Sequence, residues 1–370
     1  MRIGIDARLY SQTGVGRYIQ NLIRELAAVD NENNYLIYLG KKDYSSFKLP
    51  NERWIKRILN VAWHTIQEQF IVPCVFLQDK IDVAHFPYFN VPIFYPKKYL
   101  LTIHDLIVDH FDTGRASTYS YPLYKIKRIG YKLSLSLGIK RAGAIAAISE
   151  TTKKEIVDHY HVSDRKITIT YDALDSAFSE LLAKQKPQSF YRFPYILYVG
   201  NAYPHKNLER MIDAFLIVRK KQPIKLILVG NDSYFYPRLK LYIQKLGLLE
   251  NIIFFGEADN RELINLYNNA LCLVFPSLME GFGLPNLEAV ACGRLPVVSD
   301  IPAFREIWGN KLTYFNPLDP DDIANKILDV MKLPKDQYDS KVKKAKQRLQ
   351  DFSWKKTGVT TLKLYEQIYR

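Results

Sequence analysis

Residues 271–290 read "LCLVFPSLMEGFGLPNLEAV". An apolar run of strand length is followed by a turn carrying Gly281 and Gly283, then by a segment that Pro285 opens. A strand that passes through a glycine loop into a helix is the building unit of a parallel sheet covered on both faces. Pro285 suits the first helical position, where its missing N–H would have no intrahelical partner. The glycines let the backbone approach a ligand closely, and N–H groups ahead of a helix start form an anion site. Glu280 stands at the end of the strand and Glu288 one turn into the helix. Helical side chains lean toward the N-terminus, so the Glu288 carboxylate points back at the loop. Such a loop can hold a phosphate while the two acids accept hydrogen bonds from hydroxyls on either side, as a sugar and a ribose would offer. Neither acid is given a core role. In the plainer alternative the acids only complement a helix dipole and the glycines only turn the chain.

The same alternation extends in both directions. Strands are expected at "RIGID", "YLIYL", "DVAHF", "YLLTI", "AIAAI" and "KITIT", and again at "YILYVG", "KLILVG", "NIIFFG", "LCLVFP" and "LPVVSD". Between them lie helical periods, clearest at Tyr18, Ile19, Leu22, Ile23, Leu26 and Ala27. Near-continuous apolar strands separated by helices imply parallel sheets. A chain of 370 residues is long for one hydrophobic core. The reading is therefore two doubly wound, Rossmann-like α/β domains facing each other across a cleft. One covers 1–182, with a C-terminal helix 353–370 packing back on it. The other covers 190–352. The polar stretch 181–194, "LLAKQKPQSFYRFP", separates them. Doubly wound sheets bind ligands at the carboxyl ends of their strands, so chemistry is sought in those loops.

Composition narrows the class. With 48% hydrophobic and 24% charged residues the chain is an ordinary globular protein, and no apolar run is long enough to span a membrane. The start, "MRIGIDARLY", has no signal-peptide character. Cys74, Cys272 and Cys292 form no C-x-x-C pair and lie in apolar contexts, which points to a reducing cytosol and away from zinc. The formal net charge is +14, and basic chains seek phosphates. Residues 331–370 carry eleven Lys or Arg against four Asp or Glu.

Three other loops carry candidates. In "YILYVGNAYPHKNLERMIDAF", residues 195–215, Asn207 is a plausible N-cap and Lys206 can neutralise a phosphate at the strand end. In "DARLYSQTGVGRYIQNL", Gly14 and Gly16 precede the first helix. This resembles a dinucleotide fingerprint poorly, because Ile19 replaces the third glycine and no acid ends the second strand. The pair more readily marks a close approach to something from the other domain. "YLLTIHDLIVDHF" puts His104 and Asp105 at a strand's end. That imidazole can meet a sugar hydroxyl or a developing charge, or serve only as a structural His held by Asp105. His85 and His205 are weaker candidates of the same kind. The one D-x-D, Asp319 with Asp321, reads as a helix start, so no metal is implied.

Glu280 and Glu288 within "EGFGLPNLEA" resemble the hallmark of the retaining glycosyltransferases of family four, which have the GT-B fold. "GVGRYIQNL", "TIHDL", "AISETTKKEI", "YVGNAYPHKNL", "LILVG" and "FSWKKTG" follow in the family's order, so the resemblance covers nearly the whole chain. It implies a metal-independent transferase without a cofactor, whose nucleotide-sugar donor is held by the C-terminal domain. Glu280 would contact the donor sugar and Glu288 the ribose. The amides of Gly281, Phe282, Gly283 and Leu284 would meet phosphate and sugar. Lys206 would neutralise the diphosphate, the backbone at Gly14 and Gly16 would cover it, and His104 would touch the sugar. "FFGEAD", residues 254–259, would run past the base. The glycan or lipid-linked acceptor would enter over the N-terminal domain. The chain departs from the family twice. Asn201 and His205 stand where many members have an arginine, leaving Lys206 nearly alone with the phosphate charge. "YDALD" replaces the usual Asn-Gly after the sixth strand, so Asp172 is given no contact.

The motifs "TIHDL" and "HKN" lean toward GDP-mannose, with UDP-hexoses as the alternative donors. A sugar-nucleotide epimerase on the same fold is the alternative enzyme. A basic nucleic-acid-binding protein is the alternative outside enzymes, but no basic stripe with spaced aromatics supports it. The protein is expected in the cytoplasm, with peripheral attachment at the inner face of the cell membrane. "YKIKRIGYKLSLSLGIKRAG", residues 124–143, sets Lys125, Arg128 and Lys132 on one helix face as a possible contact for anionic lipid.

Overall fold

The structure is a computed structural model. It describes residues 1–111, 121–186, 188–231 and 234–370, without the side chains of residue 13 and residues 121–128. The chain forms two compact units. One holds Met1–Leu106, the stretch ending at Asp172, and Ser353–Arg370; the other holds Ala173–Phe352 and a short piece beginning at Ile107.

The elements run β1 (Arg2–Asp6), α1 (Thr13–Val29), β2 (Asn34–Leu39), α2 (Lys41–Tyr44), β3 (Trp54–Ile58), α3 (Ile66–Gln78), β4 (Val83–Phe86), β5 (Tyr99–Ile103) and α4 (Ile107–His110). Next come α5 (Tyr121–Arg141), β6 (Ala144–Ala147), α6 (Glu150–Tyr160), β7 (Ile167–Ile169) and α7 (Ser176–Lys184). Then follow β8 (Tyr195–Val199), α8 (Leu208–Lys221), β9 (Lys225–Val229), α9 (Phe235–Lys245), β10 (Ile252–Gly256), α10 (Asn260–Asn269) and β11 (Leu273–Phe275). The chain ends with α11 (Leu284–Ala291), β12 (Pro296–Ser299), α12 (Pro302–Trp308), β13 (Thr313–Phe315), α13 (Pro320–Met331), α14 (Lys335–Leu349) and α15 (Trp354–Tyr369).

Both sheets are parallel. Their strand orders are β3-β2-β1-β4-β5-β6-β7 and β10-β9-β8-β11-β12-β13. The order reverses between β1 and β4 in the first sheet and between β8 and β11 in the second. At such a switch point two crossovers leave in opposite directions, and the crevice they open at the carboxyl ends is where a doubly wound sheet takes a ligand.

Burial explains which strands the sequence announces. Every residue of β4, β5 and β6 is buried, as is Ile3–Asp6 of β1. Each buried Leu, Ile or Phe contributes roughly 1.5–3 kcal/mol. The two strands not expected from sequence, β3 and β13, are each the outermost of their sheet. An edge strand has a neighbour on one side only, and β3 accordingly carries exposed Ile55 and Ile58 with half-buried Lys56 and Arg57, so no apolar run marks it. Helix α1 buries Tyr18, Ile19, Leu22, Ile23 and Leu26 as its period requires. It packs against α15, close enough that a Cβ on Gly358 would lie 2.9 Å from the Glu25 side chain. Asp319 caps α13, accepting from the amides of Asp321 and Asp322.

Candidate active site

In the second unit the loop after β8 and the loop after β11 leave from the two sides of the switch point. Three hydrogen bonds join them. The Leu278 amide donates to the His205 carbonyl at 2.7 Å. The Asn207 side-chain amide donates to the Pro276 carbonyl at 3.1 Å. Lys206 Nζ donates to Glu280 Oε1 at 2.5 Å. Ser277 Oγ donates to that same oxygen at 2.6 Å. Two residues 74 positions apart, each expected at a phosphate-and-sugar site, are thus brought together as one ion pair. Their side chains are 14% and 9% exposed. A bridge at this depth keeps contact with water, so an incoming anion can exchange with it.

Glycine permits the next turn. Gly283 has φ +92°, and a Cβ there would lie 2.7 Å from the Phe304 ring. It forms the N-cap of α11, with Pro285 second rather than first in the helix. Phe282 is buried, its ring edge-on to Phe352. Its side chain therefore anchors the loop, and its backbone is what remains for a ligand. Among the described residues no group of three or more His, Cys, Asp or Glu could hold a metal ion.

Residues 12–178 match the family described as Glycosyltransferase Family 4, and residues 181–348 match Glycosyl transferases group 1. The chain belongs to glycosyltransferase family 4. It is 26% identical over 337 residues to the O-antigen chain mannosyltransferase RfbU of Salmonella typhimurium, covering 88% of this chain and 89% of that one. It is 25% identical over 382 residues to the O-antigen chain mannosyltransferase B of Escherichia coli, covering 96% and 97%. Among solved structures it resembles the Anabaena protein Alr3699/HepE in complex with UDP and glucose, with a TM-score of 0.72, 15% identity and 99% of each chain covered. That likeness is one of fold, and the fold is GT-B. The family's hexosyltransferases are retaining and metal-independent.

Several residues of this glycosyltransferase sit differently from expectation. Glu288 was given no core role, yet it is 2% exposed and its Oε2 accepts from the Tyr267 hydroxyl at 2.9 Å. The α11 helix turns its fifth residue inward, and a buried carboxylate needs a donor. Asn207 is no side-chain cap. It takes the left-handed conformation at φ +59°, which asparagine tolerates, and its amide also donates to the Pro317 carbonyl at 2.7 Å. Gly14 and Gly16 do not precede the first helix; they lie in its first turn, behind the N-cap Gln12. A Cβ on Gly16 would meet the Tyr10 carbonyl oxygen at 2.6 Å, and the Gly16 amide donates to Gln12. The close approach that requires this glycine is to its own loop.

The three candidate histidines, His85, His104 and His205, are neutral near pH 7. His104 Nε2 donates to the Pro87 carbonyl at 2.9 Å, so Asp105 is not what holds it. A carbonyl only accepts, which puts the proton on Nε2 and leaves Nδ1 as an acceptor. Burial pushes His104 down to about 4. Burial and then Lys206 push His205 down to about 3, so it brings no positive charge to the phosphate loop. His85 is a core residue between Tyr365 and Thr102, 2.7 and 2.8 Å away. Of the expected membrane contacts, the side chains of Lys125 and Arg128 lie outside the described residues, and Lys132 is half-buried. The sequence reading missed Ser277 and Tyr267. Ser-x-x-Glu spacing could have suggested the first; Tyr267 reaches Glu288 only through packing of α10 on α11.

Proposed function

We propose that this glycosyltransferase moves mannose from GDP-mannose, with retention, to a glycan or lipid-linked acceptor in cell-surface polysaccharide synthesis in the cytoplasm. The observation that carries the reading is the Lys206–Glu280 pair at the switch point, directly ahead of the α11 helix start. A departing nucleoside diphosphate gains negative charge. Lys206 and the amides of Gly281 to Leu284 stabilise that charge more in the transition state than before it. The arriving diphosphate takes over Lys206, and Glu280 then accepts from the donor sugar's hydroxyls. Glu288, oriented by Tyr267, accepts from the ribose. His104 offers Nδ1 to a sugar hydroxyl. The amides around Gly14, at the start of α1, cover the diphosphate, while Gly16 supplies space.

Mannose is favoured by the two O-antigen mannosyltransferases, which align over most of their own length. A UDP-hexose is the second reading, favoured by the UDP complexes among the structural neighbours. Thermal shift with GDP, UDP, ADP and their sugars tests both. A ligand at about 100 times its Kd adds about 2.7 kcal/mol, and GDP-mannose is expected to give the largest rise. A rise with UDP-sugars alone replaces the donor. No rise with any nucleotide removes the donor site.

A further inference from the structure

We infer that the exposed face of α3 in the first unit docks on an anionic lipid bilayer. The exposed positions of this helix are Ile66, Gln67, Phe70, Ile71, Cys74, Leu77 and Gln78. None is charged. The helix's one acid, Glu68, is buried, and its C-cap Asp79 is paired with Arg57. Surface helices ordinarily carry charge on their outer face, and an apolar outer face marks an interaction site.

The loop after β4 extends the face. Ile93's amide donates to Gln69 Oε1 at 2.7 Å, which holds this loop against α3. Phe94 is thereby stacked on Phe70, with ring centroids 4.9 Å apart and planes 28° from parallel. Both rings stand in solvent, 53% and 54% exposed, and Ile66 is 81% exposed. On α5, Tyr131 packs edge-on against His64, just before α3, and the exposed Ile129 and Leu133 lie on the same helix.

Charge decides the occupant. Exposed Lys80 follows the helix, exposed Lys97 and Lys98 follow the loop that carries Phe94, and exposed Arg141 ends α5, with Asp82 the exposed acid two residues after Lys80. Lys97 Nζ is fixed on the Ile81 carbonyl, next to Lys80. Arg141 holds the carbonyls of Ile93 and Tyr95. A second copy of the chain docked on this face would set those lysines against their own counterparts, which costs free energy. An anionic bilayer neutralises them while taking the apolar rings into its interface. The inference rests on these side chains and not on the transferase reading, so nucleotide binding and lipid binding fail independently.

Cys74 is the exposed one of the three cysteines, so a polarity-sensitive fluorophore can be placed on the face itself. Vesicles of phosphatidylcholine with about 30% phosphatidylglycerol are expected to shift its emission to the blue and to co-sediment the unlabelled protein. Vesicles of phosphatidylcholine alone should do so far less. The double variant Phe70→Ser/Phe94→Ser should weaken partitioning by about tenfold or more. Lys97→Glu/Lys98→Glu should weaken it also, and salt should abolish what difference remains. Both variants should keep the native melting temperature and its rise with nucleotide, because all four residues are exposed and far in sequence from the donor loops. Three results overturn the proposal: no emission shift or sedimentation with anionic vesicles, partitioning unchanged in the Phe70→Ser/Phe94→Ser variant, or concentration-dependent dimerisation through this face without lipid binding.

Discussion

The two sheets place charge at the same topological position and use it differently. In the first unit, Arg8 leaves β1 and Asn90 follows β4, on the two sides of that sheet's switch point. Arg8 donates to Asp6 at 2.9 and 2.6 Å, to Glu68 at 2.6 Å and to the Val61 carbonyl at 3.1 Å. Asn90 and the His64 amide close the other oxygen of Glu68, at 2.5 and 2.9 Å. The side chains of Arg8, Asp6 and Glu68 are at most 2% exposed, and the Trp63 ring lies 4.2 Å from the guanidinium. Burial lowers the Arg8 pKa, but Asp6 and Glu68 raise it beyond that loss, so the guanidinium stays charged. In the second unit the corresponding pair, Lys206 and Glu280, keeps a path to water and stands before a glycine turn and a helix start. The comparison teaches that a switch point supplies a crevice, while side-chain packing decides whether it becomes a clamp or a binding site.

The largest expected effect breaks the clamp. Arg8→Met leaves Asp6 and Glu68 buried without their cation, which should cost about 3–5 kcal/mol of unfolding free energy. Denaturant unfolding reads this. A loss under about 1 kcal/mol would mean that water reaches the network and that the two regions are alike.

Lys206→Ala should show the opposite profile. Removing a positioned donor to a developing anion lowers kcat/KM by roughly 10²–10³, while the loss of stability stays below that of Arg8→Met, at about 1–3 kcal/mol, because Ser277 still donates to Glu280. Equal damage to stability would make Lys206 a structural residue like Arg8.

The two glutamates sharpen the contrast within the donor site. Glu280→Gln should lower kcat, because its contact tightens as the sugar ring gains positive charge. Glu288→Gln should raise the donor KM more than it lowers kcat, since ribose is held before and during reaction. Hydrogen bonds to charged groups are worth about 1.5–3 kcal/mol, so each change should be roughly ten- to a hundredfold. Glu288 is bonded to Tyr267 in the core, so its variant should also melt earlier and the Glu280 variant should not. Identical kinetic defects would show that the two acids share one role.

The last effect concerns pH. Asp172 is buried, its Oδ1 lacks a hydrogen-bond partner, and burial pushes it up to about 8. Between the ordinary aspartate value, about 4, and about 8 the folded chain holds a proton that the unfolded chain has lost. Stability therefore falls as pH rises through that window. Asp172→Asn should raise the melting temperature, by an amount that grows from pH 5 to pH 8. His85 and His104, held down to about 3 and about 4 by burial, act in the other direction. They withdraw stability as pH falls below about 6.5, where the unfolded histidines take protons. A melting curve independent of pH between 7 and 8 in the parent chain would remove the argument for Asp172.

What the sequence determined by itself is whatever short-range physics writes into adjacent residues. Strands buried on both faces must be apolar throughout, so β1, β2, β4 to β6, β8, β9, β11 and β12 were legible, and the edge strands β7 and β10 were legible because they too carry apolar runs. Gly283, Pro285 and Asp319 were legible as loop and helix-start chemistry, because turn and cap geometry acts over a few residues. The other two edge strands, β3 and β13, were not: one open side relaxes the demand for apolar residues, and β3 uses that freedom with Lys56 and Arg57 in its middle. The tertiary structure alone decided the partnerships: Lys206 with Glu280, Tyr267 with Glu288, Arg8 with Glu68 and Phe70 with Phe94. Each joins residues that different elements bring together across 21 to 74 positions. A hydrogen bond or a ring contact needs its two groups within a few ångströms, and nothing in the local sequence of either partner encodes that distance.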